Sequence, residues 1–543
     1  MSEINAGAAH AVTRGGADFD LIIVGAGFAG MYMLHRAKGM GLTARVFEAG
    51  SGVGGTWYWN RYPGARCDVE SMQYSYQFSE ELQQEWEWSE RYSPQPEILK
   101  YANHVADRFD LRGDIQFDTR VAAAHFDEET GRWAVETGDG GEWSAQFVVM
   151  ATGCLSSVNM PKFDGMESFQ GESYHTGHWP HEGVDFTGKR VAVIGTGSSA
   201  IQSIPIMAAQ ADHLTVFQRT PNYMVPAHNG PLDQNFVADI KADYSMLRDR
   251  ARTLPGGIVI TIDLTPAFDV SADERRQRFE EKWAHGGFGL MGSYGDLLLS
   301  AEANDTAADF VRGKIRDVVE DPEIADLLSP HNVLGCKRLC VDINYWQTYN
   351  RANVTLVDVS QEPVERITET GLRARGEDFE FDAIVFATGF DAMTGALLKI
   401  DIRGTGGQKL NDKWAEGPKS YLGLSIAGFP NLFTVTGPGS PSVLTNMLPS
   451  IEQHVNWISD CLDYMAQNGH ARIDSIQQAE DDWVAHVGET ASLSLRATCS
   501  SWYVGANIPG KPRVFMPYMG GYPVYLEKCA EVVANGYEGF ALS

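Results

Sequence analysis

Two stretches of the chain carry the same pattern of hydrophobic and polar positions. Each is a short unbroken apolar run, a glycine turn, a helical periodicity and a second apolar run. The first reads Asp20-Leu-Ile-Ile-Val24, Gly25-Ala-Gly27-Phe28-Ala-Gly30, a helix from Met31 to Gly39, then Thr43-Ala-Arg-Val-Phe47. The second reads Arg190-Val-Ala-Val-Ile194, Gly195-Thr196-Gly197-Ser198-Ser199-Ala200, a helix, then His213-Leu-Thr-Val-Phe217. Apolar runs without alternation are strands buried on both faces, as in a parallel sheet.

Around these units, 80–111 is helical and 121–135 alternates like two antiparallel strands joined near Glu129-Thr-Gly-Arg132. A buried strand ending in Ala-Thr-Gly occurs twice, at Phe147 to Gly153 and at Ile384 to Gly389, which predicts two equivalent crossings between domains. Residues 225–330 lose the strand signal and become charged and helical, most clearly over 272–283. Later come a strand at 431–436, a helix over 450–465 and an irregular loop at 501–511. The first 17 residues are small and polar without periodicity, a disordered leader.

The expected fold is α/β, with two Rossmann-like dinucleotide-binding domains and a helical insertion in the second. Gly25 permits a tight turn, Gly27 lets backbone approach a pyrophosphate, and Gly30 lets helix pack closely on strand, while the helix N-terminus attracts the anion. Glu48, about twenty positions beyond these glycines, suits unmodified ribose hydroxyls and repels a 2′-phosphate, so this site takes FAD or NAD. In the second unit Arg219 stands where an acid would and can hold a 2′-phosphate bidentately, which selects NADPH.

Composition narrows the class. The chain has 543 residues, enough for two or three domains, and 43 Lys plus Arg against 71 Asp plus Glu give a net charge of −28. Such a surface repels nucleic acid and anionic membrane, and with no apolar run long enough for a membrane helix or signal peptide the expected location is cytoplasmic. The seven cysteines are odd in number and scattered, without Cys-x-x-Cys, and read as mostly inert thiols. His175, His178 and His181 lack supporting Cys or carboxylate ligands, so no metal site is expected.

A chain holding FAD and NADPH passes hydride from nicotinamide to flavin. A disulfide acceptor would need a cysteine pair after the first nucleotide unit, where Cys67 stands alone, which leaves oxygen as acceptor. The aromatic stretch Gly54-Gly55-Thr56-Trp57 to Asp68 is placed to run under the flavin ring.

Between the two fingerprints lies Phe169-x-Gly171-xxx-His175-xxx-Trp179-Pro180. With the order of motifs and the 54–68 stretch, it resembles the signature of type I Baeyer–Villiger monooxygenases, over about Phe19 to the C-terminus. Cys67-Asp-Val-Glu-Ser71, 437–447 and 501–511 are most similar to the phenylacetone monooxygenase branch of that family, although Cys154 stands where that branch has glutamine. The resemblance implies insertion of one oxygen beside a ketone carbonyl to give an ester or lactone, through a peroxyflavin and a Criegee adduct, and sulfide oxidation besides. A flavin N- or S-oxygenase, or a non-oxygenating NADPH reductase or redox sensor, is the alternative. Partners implied are a small ketone and O2, with a monomer or weak oligomer.

It further implies that Arg338 is the fixed cation for the peroxide and the oxyanion, and that Asp68 pairs with it. Contacts to FAD are implied from Phe28, Gly55, Thr56, Trp57, Asp68, Tyr74, Val121 and Met447. Contacts to NADP are implied from Thr196, Ser198, Ser199, Gln202, Thr220, Lys337, Arg338 and Trp502. His175 and Trp179 anchor a connector that couples domain movement to catalysis. The expected layout is a leader over 1–18, an FAD-binding domain over 19–154 and 387–543 with a mobile loop about 486–510, and an NADP-binding domain over 155–386 with its helical insertion at 225–333.

Overall fold

The computed structural model describes residues 18–543. The leader expected over residues 1–18 lies outside the described residues except for Asp18, which opens the first strand. That strand, β1 (Asp18–Val24), feeds helix α1 (Phe28–Gly39) and then β2 (Ala44–Phe47). In the first sheet β1 pairs in parallel with β2 and β6 (Glu142–Met150), and β2 pairs with β3 (Ile115–Gln116). Antiparallel β4 (Val121–Asp127) and β5 (Arg132–Thr137) extend it beyond β6. The N-terminal half of β6 pairs β5, whereas its C-terminal half pairs Leu432–Thr434, so the chain returns to this sheet after visiting the second.

The second sheet is parallel throughout, in the order Val354–Asp358, β9 (His213–Gln218), β8 (Arg190–Ile194), Ala383–Phe386 and β7 (Glu172–His175). Period-two side-chain alternation divides each central strand between two cores. Leu21 and Ile23 enter the cluster beneath α1, while Ile22 and Val24 enter the one on the opposite face. Likewise Val191 and Val193 pack toward the helices of the second domain, and Ala192 and Ile194 toward a small antiparallel sheet of residues 364–380. This two-sided burial is why both runs are unbroken in apolar character.

Three stretches depart from expectation. The 225–333 insertion carries its helices, the longest Ala301–Val318, but begins on a strand, Met224–Pro226, that pairs in parallel with Cys340–Asp342. Three residues are too few for a legible strand period. The stretch about 486–510 opens as helix, because Gln477–Ser492 runs through its first part, and beyond Ser492 it holds only short 3-10 turns at Leu495–Thr498 and Trp502–Val504. The connector Phe169–Pro180 is in its first half a sheet edge, β7, pairing with Ala383–Phe386. No helix among the described residues is long and apolar enough to cross a membrane.

Candidate active site

The two glycine turns are built alike. Gly25 has φ +104° and Gly195 φ +111°, and a Cβ would lie 2.7 Å from the Ala151 carbonyl oxygen at Gly25 and 2.5 Å from that of Ala387 at Gly195. Each turn therefore abuts one of the two Ala-Thr-Gly crossings, the reason that tripeptide occurs twice. α1 and Ser198–Gln210 both begin without a side-chain cap, which leaves first-turn N–H groups free for an anion. A Cβ at Gly30 would lie 1.8 Å from the Gly25 carbonyl oxygen, whereas the second unit carries a buried Ala200.

One cavity of about 2160 Å3 runs through both turns. Drug-sized sites reach about 1,000 Å3, so this space accommodates more than one ligand. From the first unit it is lined by Gly25, Gly27, Phe28, Glu48, Gly55, Thr56, Trp57, Asp68, Tyr74, Val121 and Met447. From the second it is lined by Gly195, Thr196, Gly197, Ser198, Ser199, Gln202, Arg219, Thr220, Lys337, Arg338 and Trp502. Gly30 is not on the wall and acts through helix–strand packing alone.

Glu48 is buried, and its carboxylate accepts the Ala26 N–H at 2.7 Å and the Gly50 N–H at 2.7 Å. Burial raises its pKa and these donors counter it. A carboxylate has about four acceptor positions, so Glu48 both ties residue 50 to the glycine turn and retains capacity for ribose hydroxyls. At the opposite end neither Arg219 nor Lys337 makes a side-chain hydrogen bond or ion pair among the described residues. Burial lowers the Lys337 pKa, and repulsion from Arg219 adds to this. Two neighbouring cations without a carboxylate are a site for an anion.

Asp68 and Arg338 meet between these ends. The Arg338 guanidinium lies 2.6 Å from the Asp68 carboxylate, whose side chain is 1 % exposed, while its other oxygen accepts the Val341 N–H at 3.2 Å. Arg338 is 42 % exposed, but as a wall of the cavity it faces that enclosed space. Burial pulls its pKa down; Asp68 and, behind it, Cys340 and Tyr503 outweigh burial and leave it above the ordinary arginine value. Pairing of Met224–Pro226 with Cys340–Asp342 holds the strand end that presents Arg338, and the Cys340 thiol donates to Ser198 Oγ at 3.0 Å.

Other predicted residues reach the wall with their side chains already engaged. Gln202 Oε1 accepts from the Tyr62 hydroxyl at 2.8 Å and its amide donates to the Arg66 carbonyl at 3.1 Å, which fastens the second domain to the loop leading to Asp68. Trp57 donates to the Tyr74 hydroxyl at 3.0 Å. Trp502 packs with Cys154, Met393 and Met516, so Cys154 forms part of an apolar wall, and burial raises its thiol to about 11. Trp502's segment is anchored where Lys511 Nζ meets Asp391 at 2.6 Å and Asn507 donates to the Phe390 carbonyl at 2.7 Å. Sequence reasoning missed Asn222, whose amide donates to the Thr196 carbonyl at 2.6 Å; its position just after Arg219-Thr220 was the available signal.

Phe169, Gly171, His175, Trp179 and Pro180 stay off the cavity wall, although Gly177 and His178 reach it. His175 is 2 % exposed; Nδ1 accepts the Gly177 N–H at 2.9 Å, so Nε2–H donates to Thr388 Oγ1 at 3.1 Å, which donates to the Asn159 carbonyl at 2.7 Å. These hydrogen bonds join β7 to the second crossing and to Asn159, which follows the first. Burial, aided by His178, pulls the His175 pKa down to about 4 and keeps it neutral. Trp179 packs on Tyr174 and Phe186, and a Cβ at Gly171 would strike the Phe169 ring and the Asp382 carbonyl.

Two glycine turns with opposite charge beyond them, opening on one cavity with a cation between, suit two dinucleotides. A family profile described as pyridine nucleotide-disulphide oxidoreductase matches residues 22–230. The chain is 44 % identical over 526 residues to a Baeyer–Villiger monooxygenase of Pseudooceanicola batsensis, covering 96 % of each. It is 40 % identical over 528 residues to phenazine N-monooxygenase PhzNO1 of Lysobacter antibioticus, covering 96 % of this chain and 97 % of that protein. A solved structure of oxidized steroid monooxygenase bound to NADP superposes with a TM-score of 0.93 at 53 % identity, over 97 % of this chain and 99 % of the other. The chain belongs to the type I Baeyer–Villiger monooxygenase family. It is accordingly an FAD-containing, NADPH-dependent monooxygenase.

Proposed function

We propose that Arg338, oriented by Asp68, is the catalytic cation of ketone oxygenation in this chain, and that the product is an ester or lactone. Bound FAD supplies the oxygen-transferring centre and NADPH the hydride that reduces it. Glu48 and the first glycine turn hold the former; Arg219, Lys337 and the second turn hold the latter. The observation that carries the reading is the Arg338–Asp68 pair, at 2.6 Å, on the wall of the cavity that joins the two cradles. Negative charge develops on the ketone oxygen as the new bond forms, and a guanidinium fixed in advance stabilises it without reorganisation. Arginine stays protonated at every working pH, so it offers charge and hydrogen bonds without transferring its proton. Asp68, anchored by the Val341 N–H, keeps that charge aimed.

The wall of the same cavity also includes Ile258, Ile260, Phe288, Met291 and Leu444, which favours large apolar ketones. Sulfides, oxidised without a developing carbonyl oxyanion, are a second substrate class. N-oxygenation is the competing reading, favoured by the full-length similarity to an N-oxygenating relative.

The test is mass-spectrometric product analysis with O2, NADPH and a panel of ketones, thioethers and aromatic amines, run on the native chain and Arg338→Ala. Ester formation should fall about 100- to 1,000-fold in the variant, the usual loss for one oxyanion-stabilising group. Flavin reduction by NADPH should persist. Undiminished ester formation in Arg338→Ala sinks the assignment, and exclusive N-oxide formation by the native protein establishes the competing reading.

A further inference from the structure

Thr436 is a β-branched residue with left-handed backbone, at φ +54°, and Leu422 is a second large side chain in that region, at φ +58°. Left-handed backbone brings Cβ close to a carbonyl oxygen, so bulky residues avoid it and β-branched ones most of all. Both positions are buried, and Thr436 forms part of the cavity wall. Each is followed by a glycine, and the two turns press on each other: a Cβ at Gly437 would lie 2.7 Å from the Gly423 carbonyl oxygen. Such strain persists only where surrounding contacts over-determine the backbone, and it gathers at functional sites.

One line of hydrogen bonds joins the two strained residues. The Thr436 N–H donates to His454 Nδ1 at 2.9 Å, which leaves the imidazole proton on Nε2. Nε2–H donates to the Tyr525 hydroxyl at 2.9 Å, and that hydroxyl donates to the Leu422 carbonyl at 2.6 Å. Every direction is forced, because the line starts at an amide that can only give a proton and ends at a carbonyl that can only accept one. His454 and Tyr525 are fully buried and come from different helices, Met447–Asn468 and Tyr522–Ala534. Burial pulls the His454 pKa down to about 3, so the ring stays neutral and the line keeps its sense. The Thr436 carbonyl accepts from Ser442 Oγ at 3.1 Å, so both backbone polar groups of the strained residue are engaged.

We propose that His454 is a positioning residue of the oxygenation site: with Tyr525 it clamps the Leu422 and Thr436 turns together and sets the direction in which residues 437–447 leave the sheet. That segment follows the strand Leu432–Thr434 and places Pro441, Leu444, Asn446 and Met447 on the cavity wall that Arg338 shares. His454 itself is not on the wall and acts through Thr436. Without the clamp Thr436 relaxes to negative φ and the wall shifts. Oxygen then escapes transfer to the substrate, and one NADPH and one proton convert one O2 to one hydrogen peroxide. That kinetic consequence rests on oxygenation at this cavity, whereas the clamp itself rests on the backbone alone.

The test compares the full-length, FAD-loaded native protein with His454→Leu, His454→Asn and the double variant His454→Leu/Thr436→Gly. Leucine breaks the line, asparagine keeps an acceptor for the Thr436 N–H, and glycine adopts positive φ without strain and needs no clamp. Two quantities are read: amide hydrogen exchange of peptides covering 437–447, by mass spectrometry, and hydrogen peroxide released per NADPH consumed with an accepted ketone. In His454→Leu exchange over 437–447 should be about 10- to 100-fold faster, and the peroxide share should rise several-fold. His454→Asn should stay near the native values, and adding Thr436→Gly to His454→Leu should return both readouts most of the way. Unchanged exchange in His454→Leu overturns the proposal. So does a double variant as loose as His454→Leu, which would show that the ring merely fills space. A loosened segment with an unchanged peroxide share refutes the positioning role. Should His454→Leu fail to fold, Tyr525→Phe with and without Thr436→Gly gives the same comparison. Amide exchange is blind to ketone chemistry, so its outcome is separate from that of the Arg338 assignment.

Discussion

The two dinucleotide cradles share a backbone and differ in almost everything attached to it. Both first glycines sit at positive φ against a crossing carbonyl, and both helices present uncapped N–H groups. Yet the first closes on Glu48, a buried carboxylate bonded to the turn itself, and the second on Arg219 and Lys337, two cations without acidic partners among the described residues. Packing differs too, since Gly30 leaves no space for a methyl group and the matching position holds Ala200. A pyrophosphate is recognised by backbone geometry, which any chain can repeat; the ribose is distinguished by side-chain charge, which must be set separately at each copy.

The strongest way to break this comparison is Gly30→Ala. Its Cβ would stand 1.8 Å from the Gly25 carbonyl, so helix and strand must separate; overpacking of this kind costs about 1–3 kcal/mol or more and deforms the cradle. The purified variant should lose most of its FAD, read as the flavin-to-protein absorbance ratio, while Ala200→Gly costs only about 1 kcal/mol of helix propensity and keeps its cofactors. Full flavin retention in Gly30→Ala would show the two packings to be equivalent.

Charge at the second ribose is tested by Arg219→Ala and Lys337→Ala. A hydrogen bond to a charged group contributes about 1.5–3 kcal/mol, so each should raise the KM for NADPH about 10- to 100-fold. The KM for NADH should stay put. An equal rise for NADH would mean that the cations hold the pyrophosphate.

His175 sharpens the comparison at the connector. Its pKa is depressed to about 4 from an unfolded value near 6.5, so its contribution is complete above about 6.5 and is lost as pH falls toward 4. That loss is on the order of 3 kcal/mol. Melting temperature should fall over this window, and less steeply in His175→Asn; parallel curves refute the role. The smallest effect belongs to Gln202→Ala, which removes hydrogen bonds to Tyr62 and Arg66 of about 1 kcal/mol each. It should lower the melting temperature without altering the NADPH preference.

Much of this was legible because it is local. Two-sided burial shows as unbroken apolar runs at 20–24 and 190–194, a positive-φ turn shows as glycine, and the contrast of charge beyond the two turns shows as Glu48 and Arg219. The strand Met224–Pro226 was not legible, since three residues carry no period and its partner Cys340–Asp342 lies beyond the entire insertion.

By itself, then, the sequence determined where the two glycine turns lie, which charge stands beyond each, and which family signature the chain carries, because nearest neighbours impose backbone conformation and charge. Only the tertiary structure decided that the Asp68–Arg338 pair, implied by the resemblance, lies on the wall of a cavity shared by both turns, that His175 bonds to a crossing, and that Gln202 is a fastening between domains. Each of those depends on contacts between chain segments far apart in sequence, and such contacts are set by how whole sheets and helices pack.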